Sequence, residues 1–141
     1  MVKRIPSHLS FSDVGHVIVV DYNVSIKALL KKGNYTQVHP EINEENFPTL
    51  KGGKKEIIVK IIKLNRRPEI GYSEFEKEMA VIYENGYEAV NLQELLTAFR
   101  YIENRSSILA LGSIIDIDDS LMSPFVRKGG YQGNIIGLEP V

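Results

Sequence analysis

Residues 73–104 read SEFEKEMAVIYENGYEAVNLQELLTAFRYIEN, and this stretch decides the fold class. Ser73 and Glu76 stand three apart, as do Asn91 and Glu94. At that spacing a short polar side chain accepts a backbone N–H while the carboxylate reaches back to the capping residue's own amide. Two helices in series are therefore expected, each opened by a capping box. In the second, Leu92, Leu95, Leu96, Phe99 and Ile102 share one face at 3.6 residues per turn, with Gln93, Glu94, Arg100 and Glu103 turned elsewhere. The first is less regular, with Phe75, Met79, Ile82 and Tyr83 as its apolar positions. Gly86 stands where a left-handed residue commonly ends a helix.

Outward from this pair the chain reads as strands. Val17–Val20 is a compact β-branched run, followed by Asn23 as N-cap of a short helix carrying Ile26, Leu29 and Leu30. Lys31, Lys32 and Gly33 close that helix, the cations complementing its dipole and the glycine giving a left-handed exit. Residues 35–48 read as an extended segment followed by a turn or a single helical turn. The glycines of residues 51–54 mark another turn before Glu56–Leu64, whose apolar side chains emerge on both faces of the pleat. That pattern predicts an interior strand. Ile108–Ile117 is a further strand candidate, and Asn134–Leu138 is a short one beyond the glycine-rich residues 129–133. The fold class expected is α+β, a mixed or antiparallel sheet packed on one face by two to three helices. Glu56–Leu64 and Ile108–Ile117 are expected in the same sheet.

The 141 residues suit a single domain over 1–141, with residues 1–12 set apart as a candidate flexible N-terminal segment. A net charge of -1 with 43% hydrophobic residues argues against a disordered tail and against a globally basic nucleic-acid protein. Cysteine is absent, which removes disulfides, thiolate nucleophiles and Cys-ligated zinc. No apolar run approaches the roughly 20 residues of a membrane span, and the first 21 residues lack a secretory pattern, so the chain is read as cytoplasmic with no membrane partner.

Three constellations bear on chemistry. Asp116, Asp118 and Asp119 follow an apolar strand and could hold a hard divalent cation through carboxylate oxygens, the one cofactor the sequence suggests. Their alternative reading is turn chemistry, since aspartates accept local backbone N–H bonds. Lys54, Lys55, Lys63, Arg66 and Arg67, within the basic segment 51–67, could meet nucleic-acid phosphates. Their clustering at two strand ends roughly 30 Å apart also fits simple solvation of the termini. His8, His16 and His39 form no zinc spacing, and Ser113 lacks the second glycine of a nucleophile elbow. A helix-turn-helix DNA reader is disfavoured, because the second helix carries Arg100 as its single cation between residues 92 and 104.

Three stretches resemble a group of short, uncharacterised bacterial proteins. They are residues 28–48 around KGNY and EENFP, GYEA followed by LQELL at residues 86–96, and ALGS at residues 110–113. The resemblance implies a shared domain and transfers no catalytic residue. With no convergent set of nucleophile, base and oxyanion donors, the leading expectation is a small non-enzymatic binding or interaction module. Its expected partner is a protein, a second copy of the chain included. The alternatives are a divalent-metal-dependent hydrolase at Asp116 and Asp118 and a nucleic-acid binder through residues 51–67.

Overall fold

The computed structural model describes residues 9–11, 15–64, 72–102 and 107–141, with the backbone alone at residues 9–11, 62–64, 72–75 and 78. Most of the candidate flexible segment 1–12, together with Arg66, Arg67 and Glu103, lies outside the described residues. The fold is α+β. In chain order the elements are β1 (Leu9–Phe11), β2 (His16–Asp21), α1 (Ile26–Lys32), β3 (Tyr35–Val38), β4 (Lys54–Val59), β5 (Ile62–Leu64), α2 (Tyr72–Glu84), α3 (Leu92–Phe99), β6 (Ile108–Leu109), β7 (Ile115–Ile117), β8 (Ser120–Lys128), a 3-10 turn (Gly130–Gln132) and β9 (Asn134–Pro140).

The main sheet runs β3-β9-β8-β6, with β7 also paired to β8. It is mixed: β3 lies parallel to β9, and the other pairings are antiparallel. Its central strand, β8, is not among the strands expected from the sequence, and it carries Pro124 in its middle, a residue without the N–H that an interior ladder needs. The structure removes the conflict by geometry. Ile108–Leu109 pair with Val126 and Phe125, Ile115–Ile117 pair with Met122 to Ser120, and between them the regular pairing lapses beside Pro124. Pro124 keeps its acceptor in use, its carbonyl receiving the Ala110 amide at 2.9 Å. The continuous strand expected over Ile108–Ile117 is thus two short pieces along one edge of β8, broken where the proline cannot donate.

Glu56–Leu64 also departs from expectation. It is broken after Val59, and among the described residues neither half is interior: β4 pairs with β2 alone and β5 with β1 alone, in two two-stranded sheets. The reason is α3, which stands between the β2–β4 ribbon and the main sheet and separates what the sequence placed in one layer. One side of α3 supplies Leu92, Leu95, Leu96 and Phe99 to a core with Ile26, Ile42, Phe47, Ala110, Val126 and Ile136. Another side supplies Ala98, which with Ile102 just beyond the helix packs on Ile18, Val20 and Val59. A small cluster of Met79 and Ile82 seats α2 against Leu111, Ile114 and Val141.

The helix ends follow elementary hydrogen-bond accounting. Asn91 Oδ1 accepts the Glu94 amide at 2.9 Å, and Glu94 Oε1 accepts the Asn91 amide at 2.9 Å, the expected capping box. α2 begins at Tyr72, so Ser73 is inside the helix and not its cap. At its other end Gly86 has φ 87, and the Tyr87 and Gly86 amides donate to the Ile82 and Tyr83 carbonyls, closing the helix as anticipated. The cap of α1 is Ser25, whose Oγ accepts the Ala28 amide at 3.1 Å, not Asn23. Asn23 is occupied instead by the neighbouring turn, its amide donating to Asp21 Oδ1. Lys31 and Lys32 fill the last turn as expected, but Gly33 has φ -89, and the left-handed residue is Asn34 at φ 54. Gly33 is required for space, since a Cβ there would collide with the Tyr35 ring.

Candidate functional site

The phase of the β2–β4 pairing determines what the ribbon presents. The Tyr22 amide donates to the Gly53 carbonyl at 2.9 Å, in line with a register that sets Val20 opposite Lys55 and Ile18 opposite Ile57. Even-numbered residues of β2 therefore form the hydrogen-bonded pairs. Val17–Ile58, Val19–Glu56 and Asp21–Lys54 are the intervening pairs, in which cross-strand side chains approach more closely. Side chains alternate between faces. Ile18, Val20 and Val59 point to α3 and are buried, while Val17, Val19 and Ile58 emerge on the opposite face with 63%, 57% and 69% of their surface exposed. The result is a contiguous apolar patch, with the Val19–Glu56 and Asp21–Lys54 pairs carrying charge at one end.

A second node ties this ribbon to the core. Gln93, expected to face solvent, is 2% exposed. Its Nε2 donates to the Tyr22 and Val24 carbonyls, each at 3.0 Å, and its Oε1 accepts the Leu50 amide at 3.0 Å. The side chain thus satisfies the backbone of the β2–α1 turn and of the segment leading to β4. Its neighbour Glu94 accepts the Tyr22 hydroxyl at 2.6 Å. Burial, that hydrogen bond and the adjacent carboxylate charge together raise the Tyr22 pKa to about 12. A raised phenol pKa means that the folded state holds its proton where the unfolded chain loses it. The contribution to stability is present below about pH 10 and fades as pH rises through 12. Comparing the alkaline absorbance titrations of the native protein and Tyr22→Phe should isolate a phenol ionising near pH 12, and Glu94→Gln should move that ionisation towards 10.

The acidic candidates are all exposed and belong to one hairpin. Asp116 is on β7 opposite Leu121, and Asp118 and Asp119 form the corner between Ile117 and Ser120 with φ 50 and 65. Positive φ at both central residues is the turn type whose twist matches a two-residue hairpin. Among the described residues no group of three or more His, Asp or Glu side chains is placed to hold a metal ion.

Of the basic candidates, Lys54 and Lys55 are exposed on β4 and alternate between its faces. Lys54 stands opposite Asp21, and the Lys55 ammonium lies 5.7 Å from the Tyr22 ring centroid. Lys63 is on β5 opposite Ser10, and Arg66 and Arg67 lie outside the described residues. No helix among the described residues is long and apolar enough to cross a membrane.

The exposed patch was missed at the sequence level although its signal was present. The two-faced apolar pattern of Glu56–Leu64 predicts cover on both sides, whereas α3 covers one face of the ribbon and Ile58 emerges on the other. Comparison of the chain with protein-family models, curated proteins and solved structures found no match.

Proposed function

We propose that the protein is a non-enzymatic interaction module whose docking surface is the outer face of the β2–β4 ribbon. The observation that carries this is the side-by-side exposure of Val17, Val19 and Ile58 on a sheet that, among the described residues, has two strands. Isolated apolar residues at a surface are ordinary, but a contiguous group of β-branched side chains on the outer face of a strand pair leaves apolar area in water that a partner would remove. At about 25 cal/mol per Å², covering such a face favours association without any chemistry at the contact. The partner class this supports is a protein surface of matching apolar character.

Site-specific photocrosslinking in living cells tests the reading. A photoreactive phenylalanine analogue at position 58 is expected to give discrete protein adducts, lost when Val17→Lys is added, while the same analogue at the exposed Glu88 position gives none. Absence of any adduct from position 58 would overturn the proposal.

A further inference from the structure

We infer that the partner of the ribbon face is a second copy of the same chain, stacked face to face about a two-fold axis running along the strands. This deepens the proposal that the ribbon is a docking face and rests on it. Face-to-face packing of sheets with nearly aligned strands is a common arrangement, with the layers about 10 Å apart. The choice of occupant comes from the order of residues on the face. Along β2 it presents Asp21, Val19 and Val17, and along β4, directly across, Lys54, Glu56 and Ile58.

A two-fold axis parallel to the strands lays β2 of one copy over β4 of the other and keeps each row level. Asp21 then meets Lys54 of the second copy, and Lys54 meets its Asp21. Val17 and Ile58 meet Ile58 and Val17. The remaining row sets Glu56 over Val19; β4 has no strand on its far side among the described residues, so the carboxylate can turn to the rim. A two-fold perpendicular to the strands would instead put β2 over β2 with its order reversed, leaving Asp21 with no cation opposite. Charge order thus selects one symmetric arrangement, in which each contact occurs twice.

The face is small. A stable dimer ordinarily buries about 800 Å² per partner, more than two short strands offer, so the association expected is reversible and seen at high micromolar concentration. The test uses sedimentation equilibrium of the full chain and two charge-reversed variants. Wild type is expected to self-associate. Asp21→Lys places lysine on lysine across the interface, and Lys54→Glu places glutamate on aspartate, so each alone should weaken association at least tenfold. Mixed together, the two variants regain opposite charges across the interface, although the pair within each copy stays repulsive. The mixture is therefore expected to form a heterodimer that neither variant forms by itself.

A merely intramolecular role for Asp21 and Lys54 would leave the mixture as monomeric as its components, and that result overturns the inference. So does a wild-type chain that stays monomeric at about millimolar concentration. If that monomer still gives adducts to a different protein from position 58, the docking face stands and its self-pairing falls; with no adducts, both fall.

Discussion

Replacing Phe99 with aspartate is expected to leave the chain unfolded at 25 °C. The Phe99 ring is 2% exposed, stacks on Tyr35 at 6.2 Å between centroids and has the Lys128 ammonium 5.5 Å from its own centroid. Truncating a buried phenylalanine to alanine costs about 3–5 kcal/mol through lost transfer energy and the cavity left behind. A carboxylate adds the desolvation of a charge, against a total stability of about 5–15 kcal/mol for an ordinary domain. Leu96→Asp, in the same core, is expected to behave likewise. Phe99→Leu serves as the control and should remain folded with a lowered melting temperature. Circular dichroism melts decide the matter: an unchanged transition in Phe99→Asp would mean that α3 does not bear on this core.

The second large effect is expected at Gln93. Leucine has nearly the same volume and helix propensity, so Gln93→Leu isolates the three hydrogen bonds. Its loss strands the Tyr22 and Val24 carbonyls and the Leu50 amide, and an unsatisfied buried group costs about 1–3 kcal/mol. Because Leu50 is half exposed and its amide can be rehydrated, the expected loss is about 2–4 kcal/mol. Urea unfolding should show a lower midpoint with an unchanged slope. Gln93→Glu should be worse at neutral pH, since a carboxylate would face two carbonyls. It should recover in acid, where the protonated carboxyl donates to one of them. A Gln93→Leu variant as stable as the native chain would remove the node from any structural role.

These two neighbourhoods show how far the sequence could be followed. The capping box at Asn91 and Glu94, the apolar spiral from Leu92 to Phe99, and the Gly86 exit depend on contacts within a few residues, and local spacing encodes them. Gln93 looked like a surface residue because its three partners lie in the β2–α1 turn and before β4, far away along the chain. β8 was hidden because Pro124 is acceptable there for a reason that lies on another segment, the break between β6 and β7. Glu56–Leu64 is the opposite case. Its two-faced apolar pattern was visible, but whether the second face meets a layer or water depends on α3 standing on the first. The Asp118–Asp119 corner is the case in which the plainest local chemistry, a turn, matches the geometry.

The parallel alignment of β3 with β9, which sets Tyr35 beside Asn134, bears on how the polypeptide comes off the ribosome. Synthesis is vectorial, yet the main sheet cannot close until its last strand has cleared the exit tunnel. Until then β3 lacks its β9 partner, and β8 lacks the same strand on one side. The nascent chain therefore keeps these apolar segments uncovered until β9 has been made, and chaperone demand should be greater before that point than after it.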